Sequence, residues 1–267
     1  MGIINVTPDS FSDGGDFFKV ELAINHGLSL ADEGADILDI GGESTRPFSY
    51  EITADEEIRR IAPVIEALAK KITIPISVDT TKSKVAKAAI NAGASIINDI
   101  SALRFDPHMA DVAAGFKTPV ILMHMKGTPK NMQANPVYDD LLGEIYKFFS
   151  DAVNGTQDKG ILRSNIIIDP GIGFGKTFDH NLIILKNLNK FLSLDLPILV
   201  GPSRKAFIRN LVKEKGVKDI NPKQPEVETG TQAAITVAVL NGAQIIRTHN
   251  VKNTRVTLKI VDAIKRS

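Results

Sequence analysis

The sequence lacks cysteine, a surplus of charge of either sign, and long apolar runs. Without cysteine the chain has no disulfide, no thiolate metal site and no cysteine nucleophile. It carries 32 basic and 31 acidic side chains, and this balance argues against nucleic-acid binding, which usually requires a basic surplus. No window approaches the ~18 consecutive apolar residues of a membrane helix. The start does not resemble a signal peptide, so we expect a cytoplasmic protein without a membrane segment.

Short runs rich in β-branched residues recur along the chain, separated by stretches with helical periodicity. The runs are apolar on both faces and are flanked by Gly, Pro or Asp, as is typical of buried parallel strands. They cover eight segments: 2–7, 35–40, 74–79, 94–99, 118–124, 165–170, 196–201 and 243–249. Helical patterns include residues 54–71, 139–160, 178–192 and 251–266. Thr53, with Glu56 three residues later, has the spacing of a capping box.

This alternation predicts a single-domain α/β protein, a (β/α)8 TIM barrel over residues 1–267. Strand alternating with helix indicates a parallel sheet, and eight such units in this length are typical of a barrel closed on itself. The rival fold is a doubly wound open sheet, which usually has fewer strands. A polar, proline-containing stretch, 214–229, is expected to be an excursion inside the seventh βα unit.

The carboxyl ends of the predicted strands are unusually polar. In a barrel these ends converge on one mouth, where active sites are built. Asp and Asn at such positions also cap the helices that follow, and for a single position capping is the simpler interpretation. Polar residues at nearly every strand end favour a functional mouth. They are Asn5, Asp39, Asp79, Asn98 with Asp99, His124, Asp169, the Gly201–Lys205 turn, and Arg247 with His249.

The predicted mouth combines cations with carboxylates. Lys205, Arg247 and His249 come from units seven and eight, where barrels commonly bind phosphate. Asp79 and Asp169 are suited to a ligand with several N–H donors. Together they indicate a nitrogen-rich ring attached to a phosphate. The alternatives are that the cations are surface residues and that Asp169 is a helix cap.

Residues 170–177, PGIGFGKT, look like a phosphate-binding loop but fit no nucleotide signature. The position that a triphosphate-binding loop needs as glycine is Pro170, and the last glycine of a dinucleotide loop would fall on Lys176. We interpret the segment as a flexible wall that lets Phe174 lean over a flat ligand. The five histidines lack zinc-site spacing, whereas Asn5 near phosphate-binding cations is suited to Mg²⁺.

At these motifs the sequence closely resembles the dihydropteroate synthase family. The resemblance extends from the first predicted strand to the last helix. The matching segments are INVTPDSFSDGG (4–15), DIGGESTRP (39–47), SVDT (77–80), IND (97–99), LMHMKGTPKNMQ (122–133), DPGIGFGKT (169–177), GPSRKAFI (201–208) and GTQAAITVAVLNGAQIIRTHNV (230–251).

The resemblance implies a transferase of folate biosynthesis that is a sulfonamide target. Its reaction joins 6-hydroxymethyl-7,8-dihydropterin diphosphate to 4-aminobenzoate, giving 7,8-dihydropteroate and pyrophosphate. It implies Mg²⁺ held by Asn5, a homodimer, and a mobile pair of loops, 7–16 and 43–53, ordered by Asp39.

Site roles carry over by motif from the same resemblance. The expected catalytic residues are Asp79, Asp169, Lys205, Arg247 and His249. The dihydropterin diphosphate site would use these five with Asn98 and Thr45. The 4-aminobenzoate site would use Phe11, Thr45, Arg46, Pro47, Phe174, Ser203 and Lys205.

Two departures from the family pattern stand out. The chain opens almost on its first strand, whereas family members usually carry residues before it, so we expect a start that is either trimmed or misassigned. Asn250 stands where the family usually has Asp, and this removes a carboxylate beside Arg247 and His249.

Two other functions share part of the pattern. A methyltetrahydrofolate-binding corrinoid methyltransferase would share Asp79, Asn98 and Asp169 but would not need the TPDSF, STRP and SRK segments. A non-catalytic pterin-binding paralogue would have lost Asn5, Lys205, Arg247 or His249, which are all present. The apolar residues of the last helices suit either barrel packing or a dimer face, with packing favoured: Ala233, Ala234, Val237 and Leu240.

Overall fold

The computed structural model describes residues 1–7, 16–44 and 51–267, with only the backbone described at 16–18. Its strands are four residues long or shorter, and each of the eight predicted strand segments overlaps one, with β2 extending one residue past its segment. They are β1 (Gly2–Asn5), β2 (Leu38–Gly41), β3 (Ile76–Asp79), β4 (Ile96–Asp99), β5 (Val120–Met123), β6 (Ile166–Asp169), β7 (Leu199–Val200) and β8 (Ile245–Ile246).

The strands form a closed parallel barrel. β1 to β6 pair in sequence order and β7 pairs with β8. Two parallel bridges join these sheets, one between Ile168 and Ile198 and the other between Gly2 and Thr248. At the second bridge the Thr248 amide donates to the Met1 carbonyl at 3.0 Å, and the Ile3 amide donates to the Thr248 carbonyl at 3.1 Å. β8 therefore returns to β1, and the predicted (β/α)8 barrel is confirmed.

Helices follow every strand and surround the barrel. They are α1 (Asp16–Asp32), α2 (Ala54–Ala69), α3 (Ser83–Asn91), α4 (Met109–Phe116), α5 (Leu141–Asp158), α6 (Phe178–Lys186), α7 (Ala206–Val212), α8 (Pro225–Leu240) and α9 (Val251–Arg266). Short 3-10 turns cover Arg163–Asn165 and Leu188–Leu194. Among the described residues, no helix is both long and apolar enough to cross a membrane.

Local signals explain where several helices start and stop. The Thr53 hydroxyl accepts from the Glu56 amide at 3.2 Å, so the predicted start of α2 is confirmed. The predicted helix 178–192 is too long, because the backbone leaves α-helical geometry at Asn187 and continues as a 3-10 turn. The predicted excursion is too long as well, since Pro225 occupies the first turn of α8, a position where its missing N–H costs nothing.

Two apolar clusters hold the barrel together. The larger lies between strands and helices, with fully buried side chains such as Phe149, Phe191 and Leu68. The smaller consists of Met1, Ile96, Ile121 and Leu199, with Ile37, Ile167 and Ile245 packed against it.

Candidate active site

The smaller cluster fixes where the functional side chains lie. Successive side chains on a strand alternate between faces, so residues two apart share a face. Six members of the cluster stand two positions before a residue of the predicted mouth or its lining. These pairs are Ile37 and Asp39, Ile96 and Asn98, Ile121 and Met123, Ile167 and Asp169, Leu199 and Gly201, and Ile245 and Arg247. The polar layer therefore lies directly above an apolar floor inside the barrel.

Arg247 joins two carboxylates across the mouth. Its Nε donates to Asp39 Oδ2 at 2.6 Å, and its Nη2 donates to Asp79 Oδ2 at 2.8 Å. The Asn98 Nδ2 donates to the same Asp39 oxygen at 3.1 Å. Asp39 is fully buried, so it orients Arg247 and Asn98 from below. Sequence analysis assigned Asp39 to ordering two loops, and most of the residues of those loops lie outside the described part of the chain.

One guanidinium cannot neutralise two carboxylates. Burial raises the pKa of Asp79 and the charge of Asp39 adds to this effect, while Arg247 opposes it. Arg247, Asp39 and Asp79 together therefore carry a net negative charge when both acids are ionised. Because an unpaired buried charge is costly, this part of the mouth favours a ligand that supplies N–H donors.

Asp169 presents one oxygen to the protein and one to the mouth. Its Oδ1 accepts from the Gly171 amide at 2.7 Å. No described residue donates to its Oδ2. Burial raises the pKa of Asp169 to about 6, against the Gly171 amide and the charge of Lys205, which lower it. Asp169 is therefore ionised at neutral pH and has an acceptor available for a ligand.

Lys205 lies at the start of α7, close to Asp169, Asp79 and Arg247. Its Nζ is 4.1 Å from the centroid of the Phe174 ring. Burial lowers the pKa of Lys205 to about 8, with Arg247 acting in the same direction and Asp169 against it. The preceding Arg204 has a left-handed backbone with φ of 59°.

Ser203 connects the turn after β7 to the end of β8. Its Oγ lies 3.0 Å from His249 Nδ1 and accepts from the His249 amide at 3.3 Å. Ser203 is buried, and this contact orients the His249 ring. The structure thus brings together the predicted cations Lys205, Arg247 and His249 with the predicted acids Asp79 and Asp169.

The glycine-rich segment is tightly bonded rather than the loose wall expected from sequence. Gly171, Gly173 and Gly175 all have positive φ values, between 63° and 81°. A Cβ on Gly171 would collide with the His124 carbonyl oxygen, so only glycine fits there. The Phe174 ring packs beside Met123, Met125 and Met132.

Sequence analysis missed the role of Lys176, which lies under this segment. Its Nζ contacts His124 Nδ1 at 3.0 Å, the His124 carbonyl oxygen at 3.3 Å and the Phe174 carbonyl oxygen at 2.9 Å. Burial lowers the pKa of Lys176 to about 7. Burial also lowers the pKa of His124 to about 2, with Lys176 adding to the effect. The available signal was a lysine directly after a glycine-rich loop that fits no nucleotide motif.

Asp99 and Asn250 have local structural roles, and Asn250 is a helix cap of the kind that the simpler interpretation expects. Asp99 accepts from the Ser101 amide at 2.7 Å and from the Leu103 amide at 3.1 Å, which fixes the turn after β4. Asn250 accepts from the Asn253 amide at 3.0 Å and caps α9. An Asp could accept the same bond, so this departure from the family pattern leaves the helix cap intact.

Four predicted contacts with 4-aminobenzoate lie outside the described residues: Phe11, Thr45, Arg46 and Pro47. Buried ion pairs hold the chain on both sides of residues 45–50. Lys82 Nζ lies 2.7 Å from both Glu43 Oε2 and Glu57 Oε2, and Glu57 is fully buried. Glu43 Oε1 accepts from the Ile52 amide at 2.9 Å, which brings the two sides together.

Asn5 is the residue of the mouth that fits a hard cation. It is partly exposed at the end of β1, where it pairs with Gly41. No group of three or more His, Cys, Asp or Glu side chains in the described ranges forms a metal site. Mg²⁺ commonly takes one or two protein oxygens and completes its shell with phosphate and water, so a single amide oxygen is compatible with it.

The fold and the site define the class: a (β/α)8 barrel whose mouth combines carboxylates with cations. The family described as pterin binding enzyme matches residues 1–249. Dihydropteroate synthase of Synechocystis is 44% identical over 266 residues, covering 100% of this chain and 90% of that protein. Its Escherichia coli counterpart is 42% identical over 98% of this chain and 90% of that protein.

Solved structures agree with the sequence comparisons. Yersinia pestis dihydropteroate synthase in a sulfonamide complex superposes with a TM-score of 0.92 at 43% identity, covering 100% of this chain and 94% of that one. The Xanthomonas albilineans enzyme with 4-aminobenzoic acid gives a TM-score of 0.90 at 42% identity, with 100% and 93% covered. The chain belongs to the dihydropteroate synthase family and is a transferase.

Proposed function

We propose that the protein condenses 6-hydroxymethyl-7,8-dihydropterin diphosphate with 4-aminobenzoate at the barrel mouth. The catalytic residues in this proposal are Asp79, Asp169, Lys205, Arg247 and His249. The observation that supports this most is that Arg247 lies between the two kinds of group. Its guanidinium bonds to Asp79, and its charge lowers the pKa of Lys205. Carboxylates for a pterin and cations for a diphosphate thus occupy the same mouth.

The pterin would bind through its polar edge. Asp79 and Asp169 accept from its amino-pyrimidine N–H groups, which are the donors that a carboxylate pairs with. Asn98 and Lys205 complete the set, and Lys205 donates to a ring carbonyl or nitrogen. The apolar floor beneath Asp39 and Asp169 excludes water and strengthens these bonds.

The chemistry is a substitution at the CH₂ group of the pterin. The amine nitrogen of 4-aminobenzoate forms a bond to this carbon, and the bond from carbon to the diphosphate oxygen breaks. The electron pair leaves with pyrophosphate, and the amine proton is lost to water. Arg247 and His249, with Thr45 by family position, stabilise the leaving anion, while the barrel holds both partners in line. An aryl amine is already a nucleophile, so no strong base is required.

Lys205 and Phe174 would border the second substrate. The ammonium above the Phe174 ring is placed to attract the carboxylate of 4-aminobenzoate, and the ring can stack on its aromatic face. Ser203 contributes from the same turn. Phe11, Thr45, Arg46 and Pro47 complete this site by their positions in the family motifs.

Asn5 would hold Mg²⁺ together with the diphosphate oxygens. When bound, the ion neutralises charge on the leaving group. We expect activity to be lost on chelation and restored by Mg²⁺, and Asn5→Ala to raise the Mg²⁺ concentration needed for half-maximal activity. An unchanged Mg²⁺ requirement in this variant would remove Asn5 from the metal site.

The outer face of α8 and α9 would form a homodimer contact. Packing on the barrel, favoured from sequence, holds for Ala234 but is wrong for Val237 and Leu240, which are 42% and 52% exposed. Val256, Ile260 and Ile264 of α9 extend the same apolar surface. Sedimentation should show a dimer. We expect Ile260→Glu to dissociate it, whereas the control Leu162→Glu, at an exposed leucine outside this surface, should leave it intact.

The cytoplasmic location and the single-domain organisation stay predictions.

Pyrophosphate release measured with each substrate alone and with both tests the proposed reaction. We expect release only when dihydropterin diphosphate and 4-aminobenzoate are both present. Arg247→Gln should abolish it, whereas Arg255→Gln, at a half-exposed arginine of α9, should not. Binding of methyltetrahydrofolate without pyrophosphate release would favour the corrinoid methyltransferase, and pterin binding without release would favour a non-catalytic paralogue.

A further inference from the structure

Lys176 is a buried lysine for which the proposed reaction has no use. It is 2% exposed and lies beneath the glycine-rich segment between β6 and α6. An ammonium has three N–H donors. Three acceptors surround this one, namely His124 Nδ1, the His124 carbonyl oxygen and the Phe174 carbonyl oxygen, at 3.0, 3.3 and 2.9 Å. No donor is left for a ligand.

These contacts join two loops of the mouth. His124 follows β5, whereas Phe174 belongs to the loop after β6. The Phe174 amide donates to the Gly171 carbonyl at 3.0 Å, so with Lys176 on its carbonyl both backbone polar groups of Phe174 are bonded. The Phe174 ring then stands with Lys205 Nζ 4.1 Å from its centroid.

The surroundings of His124 favour the neutral ring that can accept a hydrogen bond from Lys176. To accept from Lys176 at Nδ1, the ring must be neutral with its proton on Nε2. Its burial and its edge-on packing against the Phe148 ring, with centroids 4.8 Å apart, favour the neutral form. His124 therefore serves as a fixed acceptor.

We propose that Lys176 is a positioning residue, which bonds the glycine-rich loop to the end of β5 and thereby sets the Phe174 ring against Lys205. The inference rests on the proposed function, in which Phe174 and Lys205 border 4-aminobenzoate. Lys176 does not touch substrate. It determines how well the second substrate binds by fixing the wall of its site.

A fluorescence measurement tests the position of Phe174 without any activity. The chain contains no tryptophan, so Phe174→Trp introduces a single tryptophan, which is excited at wavelengths where the three tyrosines absorb little. At pH 6, below the pKa of about 7 of Lys176, we expect Lys176→Met in this background to shift emission to longer wavelength and to increase quenching by acrylamide. The matched control is Lys126→Met, which removes a lysine of the neighbouring loop that bonds to Glu144 at 2.9 Å and not to Phe174. Unchanged emission and quenching in the Lys176 variant would overturn the proposal.

Steady-state kinetics with the natural Phe174 test whether Lys176 affects binding of 4-aminobenzoate. We expect Lys176→Met to raise the KM for 4-aminobenzoate about tenfold, as loss of one net hydrogen bond would, and to change the KM for dihydropterin diphosphate less. In a Phe174→Ala background the same substitution should have no further effect on the KM for 4-aminobenzoate, because the ring that it positions is gone. Full additivity of the two substitutions, or equal effects on both KM values, would contradict a role through Phe174.

A second variant covers the case in which Lys176→Met does not fold. Lys176→Gln keeps an amide donor for at most two of the three acceptors and should give an intermediate emission shift. Emission equal to the parent reporter would overturn the proposal. If the chain binds no 4-aminobenzoate at all, the proposed function fails, and the tryptophan reporter still decides whether Lys176 holds the loop.

Discussion

Two neighbouring loops of the barrel mouth each carry a lysine next to Phe174, fully buried in the case of Lys176 and partly buried in the case of Lys205. Lys176 ends the glycine-rich loop after β6, and its Nζ bonds to the Phe174 carbonyl oxygen. Lys205 ends the turn after β7, and its Nζ lies over the Phe174 ring. Burial lowers the pKa of both, to about 7 for Lys176 and to about 8 for Lys205.

The two lysines differ in what accepts their hydrogen bonds. Lys176 is saturated by three acceptors of its own chain, whereas Lys205 Nζ has no hydrogen-bond acceptor among the described residues. A desolvated cation without acceptors is costly unless a ligand supplies them. Residue type and a lowered pKa therefore do not separate a lysine available to a ligand from a structural one. The number of acceptors within the protein does.

The largest effect is expected for Lys205→Met, which removes the ammonium and keeps most of the stem. Loss of a charge-assisted hydrogen bond to each substrate should lower kcat/KM by roughly 100-fold, while the melting temperature changes little because no protein acceptor is left unpaired. The control Lys215→Met removes an exposed lysine beyond the far end of α7 and should behave as wild type. Near-normal kcat/KM in Lys205→Met would mean that Lys205 is a solvated cation and would break the comparison.

A smaller effect is expected for Asp169→Asn, which keeps the side-chain volume and removes the charge facing both lysines. A carboxylate that accepts pterin N–H bonds contributes ~1.5–3 kcal/mol, so pterin affinity should fall roughly ten- to a hundredfold. Calorimetry with the control Asp179→Asn, at an exposed acid of α6, measures the difference. Wild-type affinity in Asp169→Asn would show that the ring binds elsewhere.

The pH dependence of pterin binding gives a second test of Asp169. The pKa of Asp169 is raised to about 6, so the carboxylate is lost as pH falls through that value. Pterin affinity of the wild type should therefore be lower at pH 5 than at pH 7, because Asp169 is protonated over this range. Asp79, whose pKa is also raised, acts in the same direction. The decline should be shallower in Asp169→Asn, and an equal decline in both proteins would assign it to other groups.

The smallest effect concerns His124, the partner of Lys176. The folded pKa of His124 is lowered to about 2, below its unfolded value, so its neutral form stabilises the protein above pH 6.5 and this stability is lost as pH falls. Between pH 7 and 5 the free energy of unfolding should fall by about 2 kcal/mol more in the wild type than in His124→Asn. Buried acids with raised pKa values act oppositely in both proteins and cancel in this difference. Urea titrations at the two pH values measure it, and parallel losses would show that His124 accepts a proton in the fold.

Sequence patterns predicted the barrel and the residues of its mouth because both follow from short-range rules. Buried parallel strands are recognisable as apolar runs, and their ends identify Asp79, Asp169, Lys205 and Arg247. The pairing of side chains across strands was not predictable in the same way. Asp39 and Arg247 are 208 positions apart in the chain, and their contact depends on closure of the barrel.

The function of Lys176 was missed for a related reason. Its acceptors are two carbonyl oxygens and a ring nitrogen. Every residue has a carbonyl oxygen, so the sequence does not indicate which of them accepts from Lys176. The exact ends of helices also depend on such local bonds, as at Asn187. Sequence thus predicts which groups face the mouth better than it predicts which of them remain available to a ligand.

A crystal structure with bound dihydropterin diphosphate tests the contrast between the two lysines most directly. The measured quantities are the distances from each lysine Nζ to the nearest ligand atom and to its protein acceptors. We predict Lys205 Nζ within about 3.2 Å of a ligand oxygen or nitrogen, with Lys176 Nζ still bonded to His124 and to the Phe174 carbonyl oxygen. A ligand contact from Lys176, or a Lys205 ammonium turned away from the ligand, would contradict the account.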